Sequence, residues 1–270
     1  MANSKVILVV LDGLGYGAAT QELGYMEGMV QAGKASKWKV KTSLPSNSRP
    51  LYETIHTGLT PIEHGVLTND IVRLSHCEHL FSICRANDRT TAAAAYSWMS
   101  ELYNHVPYDP VEDREQDDES RNIQHGRFYQ KDDYPDFELF ADAELLIRRY
   151  HPDFMLIHPM GCDYKGHVYG GSSDQYHKQA SRADQILSTY MPAWLEKGYE
   201  VLVTADHGMD EKGWHGGTLE VVQHVPLYHV SSSPIQNDQD VVDQCAIAPT
   251  VLKLMGLSIP DQMKVAALNT

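Results

Sequence analysis

Three short apolar runs in this chain each lead within a few residues to an aspartate, and that repetition narrows the choice of fold more than any other feature. Residues 5–11 form a β-branched and aliphatic run that stops at Asp12-Gly13-Leu14-Gly15. A run with no polar alternation, closed by a glycine turn, reads as a strand covered on both faces. Residues 154–158 lead to Asp163, and residues 200–204 lead to Asp206. Residues 91–96 have the length of another strand, although their alanines leave that assignment open.

Helical patterns separate these runs. Residues 137–150 follow Asp136 as an N-cap. Residues 172–197 follow Gly170-Gly171, with a break expected at Pro192. Residues 246–255 stop at Gly256. Strands alternating with helices predict an α/β fold, a mostly parallel central sheet flanked by helices. The whole chain, 1–270, reads as a single catalytic domain. Residues 108–133 are rich in Asp, Glu, Arg and Gln with little periodicity. They are expected as a solvated excursion, or as a small cap spanning about 105–135. Residues 124–129 are less acidic and could line a pocket.

Composition removes several classes of function. A formal net charge of −14 with no basic patch argues against a nucleic-acid polymer as partner. No stretch approaches the roughly 20 apolar residues of a membrane span. The start, Met1 to Lys5, runs directly into the first strand and leaves no room for a signal peptide. Cys77, Cys84, Cys162 and Cys245 form no C-x-x-C pattern. They are expected as reduced thiols, and the protein as cytoplasmic. Nothing in the sequence indicates an oligomer.

The chemistry resides in four segments. They are Asp12; Pro45-Ser46-Asn47-Ser48-Arg49-Pro50; Asp163-Tyr164-Lys165-Gly166-His167; and Asp206-His207-Gly208-Met209 followed by Gly213-Trp214-His215-Gly216-Gly217. In an open α/β sheet, ligands bind beyond the carboxyl ends of the strands. Asp12, Asp163 and Asp206 all lie just past such ends. Asp and His are donors that zinc and manganese accept. Asp12, Asp163, His167, Asp206, His207 and His215 suffice for two divalent ions, zinc by first choice and manganese by second. Bound cations would relieve the repulsion among converging carboxylates. Ser48 precedes Pro50, which suits the start of a helix running to Thr57 and stopping at Gly58. A hydroxyl at a helix N-terminus lies where an anion is favoured. It becomes a nucleophile when a base or a metal lowers its pKa.

These segments, in this order, resemble the alkaline phosphatase superfamily, and within it the type I phosphodiesterase/nucleotide pyrophosphatase group. The resemblance runs through about residues 5–70 and 150–255. It implies an alkaline-phosphatase-like sandwich. It implies one metal held by Asp163, His167 and His215, and another held by Asp12, Asp206, His207 and the Ser48 oxygen. Relatives grip a phosphate oxygen with an asparagine that follows a His-Gly pair. Here His64-Gly65 precedes Asn69, which lies 21 positions after Ser48. That role is carried to Asn69 together with the Arg49 backbone N–H. The nucleophile of the group is usually threonine, and this chain has serine. His215 follows His207 by eight residues, without the insertion many larger relatives carry. Sulfatases share the architecture but need an arginine four residues after the modified position, where this chain has Tyr52.

The implied activity is a two-step phosphoester hydrolysis through a phospho-serine, on a small-molecule phosphodiester or nucleotide pyrophosphate. No arginine-rich loop lies near the motifs to take the extra charge of a monoester. Phosphonoacetate-hydrolase-like, phosphomonoester-hydrolase and phosphomutase activities share the ligand set. A non-catalytic metal-dependent sensor is the reading from another class. Taken singly, Ser48 could merely cap a helix and Asn69 could be a turn residue. His56, His64, His158 and His224 read as structural, and Cys162 as a buried thiol. Arg49 and Lys165 could bind phosphate or be solvated charges. Tyr164, Tyr169 and Trp214 could wall a leaving-group pocket or fill core.

Overall fold

The computed structural model describes residues 4–237 and 239–269. Residues 1–3, part of the stretch on which the expectation of no leader rests, lie outside the described residues. The chain runs β1 (Lys5–Val10), α1 (Tyr16–Glu22), α2 (Gly24–Gln31), β2 (Ala35–Lys41), α3 (Ser48–Thr57), α4 (Pro61–His64), α5 (Leu80–Ala86), β3 (Thr91–Tyr96) and α6 (Trp98–Tyr103). It continues β4 (Glu115–Asp117), β5 (His125–Tyr129), α7 (Asp136–Tyr150), β6 (Phe154–Ile157), α8 (Gly161–Tyr169), α9 (Asp174–Glu196) and β7 (Tyr199–Thr204). It closes with α10 (Glu220–Gln223), β8 (His224–Val230), β9 (Val241–Asp243) and α11 (Ile247–Leu254).

The strands form one sheet in the order β4-β5-β3-β6-β1-β7-β8-β2-β9. Its centre, β5-β3-β6-β1-β7, is parallel throughout. Antiparallel pairs join β4 to β5, β7 to β8 and β8 to β2. Val6 to Val10 are fully buried, as a central strand covered by helices on both faces requires. The alanines of β3 also form a buried central strand, and α7 packs against it. Small side chains there let the helix approach closely. β2 shows the other pattern, with Trp38 and Val40 buried between lysines.

Two expectations change. Residues 108–133 are not simply a solvated excursion, because β5 extends the parallel centre of the sheet and β4 pairs on its outer side. Polar composition hides β5, yet Phe128 and Tyr129 are buried and His125 stacks on Tyr150 with ring centres 3.6 Å apart. Helix α9 does not break at Pro192. Proline forfeits one backbone hydrogen bond, but Leu187, Met191 and Trp194 on either side of it are buried, and that packing keeps the helix continuous. The four cysteines are all unpaired. Among the described residues no helix is long and apolar enough to cross a membrane.

Helix α3 is buried along its whole length and ends at Gly58 in the left-handed conformation, φ 65°. His56 on this helix stacks on Phe81 and donates its Nδ1–H to the Tyr52 carbonyl at 2.8 Å, while its Nε2 has no partner. Burial lowers its pKa from 6.5 to about 4. The unfolded chain therefore takes up a proton below pH ~6.5 that the folded chain refuses until pH ~4. This contribution to stability is present above the unfolded pKa and is lost as pH falls between the two values. The urea midpoint is expected to fall between pH 7 and pH 5, and His56→Phe should narrow that fall. An unchanged gap in the variant would remove His56 as a cause.

Candidate active site

The neighbouring parallel strands β6, β1 and β7 each deliver one aspartate past their carboxyl ends. Asp12 follows β1 directly. Its N–H donates to Pro159 O at 3.1 Å, and its carbonyl accepts from the Asp163 N–H at 2.9 Å. Asp163 thus begins α8 pinned to the β1 loop. Gly13 takes φ +73°, and a Cβ there would lie 2.7 Å from Asp163 Cα, so glycine is required on both counts. Asp206 accepts from the Gly13 N–H at 3.1 Å through Oδ1. Gln244 holds the Asp206 carbonyl at 2.7 Å.

The side chains gather as two adjoining donor sets, Asp163, His167 and His215, and Asp12, Asp206 and His207. Within each set the donor atoms lie within 4.8 Å of one another. Each histidine is fixed by a backbone carbonyl at its Nδ1. His167 meets Gly213 O at 2.8 Å, His207 meets Gly208 O at 3.0 Å, and His215 meets Ser46 O at 2.9 Å. A carbonyl can only accept, so Nδ1 carries the proton and Nε2 presents its lone pair to the set. The His207 and His215 rings stack 3.8 Å apart, and His167 Nε2 lies 3.2 Å from His215 Nε2. Burial holds His207 and His215 neutral, with pKa values lowered to about 3.

The carboxylates show the opposite imbalance. Burial first, then the charges of Asp206 and Asp163, push the Asp12 carboxyl well up. Burial and Asp206 do the same to Asp163. Burial raises Asp206 to about 6. Asp12 Oδ1, Asp163 Oδ1 and Asp206 Oδ2 are buried without a hydrogen-bond partner. Two like charges about 4 Å apart repel by ~4 kcal/mol at an effective dielectric of ~20. Three orphaned anionic oxygens facing neutral imidazole nitrogens are donors without an acceptor, and divalent cations supply what is missing. The residues present fit two such ions.

Ser48 opens α3, and its Oγ lies 3.1 Å from His207 Nε2, beside the Asp12 set. The Ser48 loop is tied to the His215 loop by the Ser46 carbonyl and by a Ser46–Gly216 bridge. Asn69 Oδ1 accepts the Arg49 backbone N–H at 3.0 Å. Arg49 is not a solvated charge, being 1% exposed and ion-paired to Glu101 at 2.7 Å. Its N–H and its paired guanidinium are committed to protein groups rather than open to a phosphate. Lys165 lies over the rings of Tyr164 and Tyr169, 4.9 and 5.7 Å from their centres. With Asp132 and Arg182 it lines a cleft of about 420 Å³. Trp214 is 68% exposed and Tyr169 49%, so neither fills core.

Two residues beside the site carry no motif signal. His158, expected as structural, accepts the Tyr96 N–H at Nδ1 and therefore donates from Nε2 to Asp12 Oδ2 at 3.0 Å. The Tyr52 hydroxyl donates to the same oxygen. Both bonds orient Asp12 and leave its Oδ1 facing the donor set. Only the position of Tyr52 one helical turn after Ser48 could have pointed to it.

This fold and site define a protein of alkaline-phosphatase architecture with two adjoining Asp/His donor sets around one serine. Residues 6–215 match the family described as type I phosphodiesterase / nucleotide pyrophosphatase, and the chain belongs to that family. Murine ectonucleotide pyrophosphatase / phosphodiesterase 5, an inactive form in complex with AMP, shares the fold with a TM-score of 0.73 and 12% identity, covering 95% of this chain and 96% of that one. A phosphonate monoester hydrolase from Silicibacter pomeroyi does so with a TM-score of 0.64 and 13% identity, covering 98% and 76%. In sequence, human GPI ethanolamine phosphate transferase 2 is 23% identical over 95% of this chain and 27% of its own length. Human GPI ethanolamine phosphate transferase 3 is 30% identical over 40% of this chain and 10% of its own length. The chain spans between a tenth and about a third of the length of the GPI ethanolamine phosphate transferases it matches. The superfamily comprises phosphoesterases of hydrolase and transferase type that typically depend on divalent metals.

Zinc titrated into chelator-stripped protein is expected to raise Tm by about 5 °C or more at 100 times Kd, since ~2.7 kcal/mol of linkage shifts a chain this long by a few degrees per kcal/mol. His215→Ala should shrink that rise, and no rise in the wild type would count against the cage. Gly13→Ala should weaken zinc binding by displacing Asp163. A Kd equal to the wild type's would show that the close approach is not needed.

Proposed function

We propose that the chain cleaves phosphodiesters or nucleotide pyrophosphates, with Ser48 as nucleophile and two divalent ions, zinc before manganese, in the Asp/His sets. The observation that carries this reading is the placement of Ser48 Oγ at a helix N-terminus, 3.1 Å from His207 Nε2, among buried carboxylate oxygens that lack partners. When bound, two ions would lower the pKa of the attacking oxygen and offset charge on the attacking and leaving oxygens. Everything else falls to the protein. The positive end of the α3 dipole at Ser48 favours an incoming phosphate oxygen, although the Arg49 and Leu51 N–H groups are bonded to Asn69 Oδ1 and the Asn47 carbonyl. The carbonyl-fixed imidazoles and the Tyr52 and His158 bonds hold the donors in place, so little reorganisation accompanies reaction. The Asn69 amide nitrogen faces the phosphate because its oxygen is taken by Arg49. Ser48 Oγ forms a bond to phosphorus as the bond to the leaving oxygen breaks. Water then attacks the phospho-serine and returns the hydroxyl.

The cationic balance supports a diester. Arg49 is neutralised by Glu101, so its side chain offers no charge for a second phosphate anion. A transferase reading is favoured by the similarity to GPI ethanolamine phosphate transferase 2 over 95% of this chain. It differs only in the acceptor, an alcohol in place of water at the second step.

Bis-p-nitrophenyl phosphate, p-nitrophenyl phosphate, a nucleotide p-nitrophenyl ester and phosphonoacetate should be compared with zinc and with manganese. The diester or the nucleotide ester is expected to dominate, and added glycerol would divert product to glyceryl p-nitrophenyl phosphate or a glyceryl nucleotide if transfer operates. Ser48→Ala should lower turnover by at least about 10³-fold while zinc still raises Tm. Unchanged turnover would exclude Ser48.

A further inference from the structure

Arg49 follows the proposed nucleophile directly, and all but one of its nitrogens are spent on neighbours. Its backbone N–H donates to Asn69 Oδ1 at 3.0 Å. Its Nε donates to the Asn69 carbonyl at 3.0 Å. One terminal nitrogen meets Glu101 Oε2 of α6 at 2.7 Å, and the guanidinium lies over the Trp98 ring, 4.4 Å from its centre. The other terminal nitrogen is buried without a partner. Resting on the phosphoesterase reading, we infer that Arg49 and Glu101 form a positioning strut that fixes Asn69, backbone and amide together, with the NH₂ group turned to the substrate phosphate.

Asn69 lies in the irregular stretch between α4 and α5 and is only half-buried, so neither helix nor sheet holds it. An asparagine amide can turn over, and the two orientations exchange a donor for an acceptor at the phosphate. The Arg49 N–H can only donate, so it selects the orientation with Oδ1 inward and Nδ2 free. The Nε bond holds the Asn69 main chain at the same distance from α3. Glu101 and Trp98 hold the guanidinium in turn. Lysine could not do this, because a single ammonium lacks the planar fork that reaches Asn69 and Glu101 at once.

Stability alone does not account for the arrangement. A buried guanidinium with one orphaned nitrogen costs more than an apolar side chain in its place. Nor is Arg49 a direct phosphate ligand, because its charge is paired and its unpartnered nitrogen is out of contact with solvent. It acts through Asn69.

The test is a double-mutant cycle with zinc-loaded protein and bis-p-nitrophenyl phosphate. Arg49→Lys should lower kcat/KM at least tenfold, mainly through kcat, and Glu101→Gln severalfold. In an Asn69→Ala background each should cost less than twofold. Full-sized losses in that background would overturn the strut, since Arg49 would then act independently of Asn69. Glu101→Gln leaves Arg49 in place and carries the test if Arg49→Lys does not fold. A second readout needs no turnover. The Asn69 side-chain NH₂ pair in a ¹⁵N-resolved spectrum should be sharp in the wild type and broadened or shifted in Glu101→Gln. An unaltered pair would overturn the proposal. Absence of hydrolysis in the wild type would instead count against the phosphoesterase reading, and the spectrum would then decide the strut alone.

Discussion

Asp12, Asp163 and Asp206 meet in the interior with one oxygen each left unpartnered, and the site is organised around that unpaid charge. Burial pushes all three carboxyl groups upward, and repulsion from Asp206 adds to it at Asp12 and Asp163. A fold that wanted only stability would replace such a cluster with apolar side chains. Instead, backbone contacts force the groups together: Asp163 N–H on the Asp12 carbonyl, and Gly13 N–H on Asp206. Three imidazoles with their protons fixed away from the cluster complete the arrangement. Cations would resolve the imbalance, and the Ser48 hydroxyl lies beside the place they would take.

The sheet makes this possible. Three neighbouring parallel strands end on one side of the molecule, so aspartates about 40 and 150 residues apart in sequence become neighbours. Ser48, the proposed nucleophile, arrives from a different direction, on a helix buried along its length, and its loop is joined to the His215 loop through Ser46 and Gly216. Gly216 takes φ +94°, where a side chain is strained, and a Cβ there would also press on Asn47 Oδ1 at 2.6 Å, so glycine suits the closure of the His215 loop over the Ser48 loop. Small displacements in either loop would therefore reach both Ser48 and His215.

Much of this was legible before folding. The three aspartates read out in order because each follows a strand end, and strand ends are marked by apolar runs and glycine turns. Ser48 was legible through Pro50 and Gly58, which bracket the helix. What stayed hidden has a common cause. Tyr52 and His158 act only through Asp12, a contact 40 and 146 residues away, so nothing local distinguishes them from packing residues. Arg49 looks like a free cation beside a phosphate site until Glu101, 52 residues on, is seen to neutralise it. Strand β5 is hidden by a polar segment, because its membership of the sheet is set by β3 rather than by its own composition.

The account stands on two ions occupying the two donor sets. Crystals grown with zinc and measured above and below the zinc absorption edge test it directly. Two anomalous peaks are expected per chain, one among Asp163, His167 and His215 and one among Asp12, Asp206 and His207 with Ser48 Oγ beside it. No peak within those sets, at zinc concentrations that saturate the thermal shift, would contradict it.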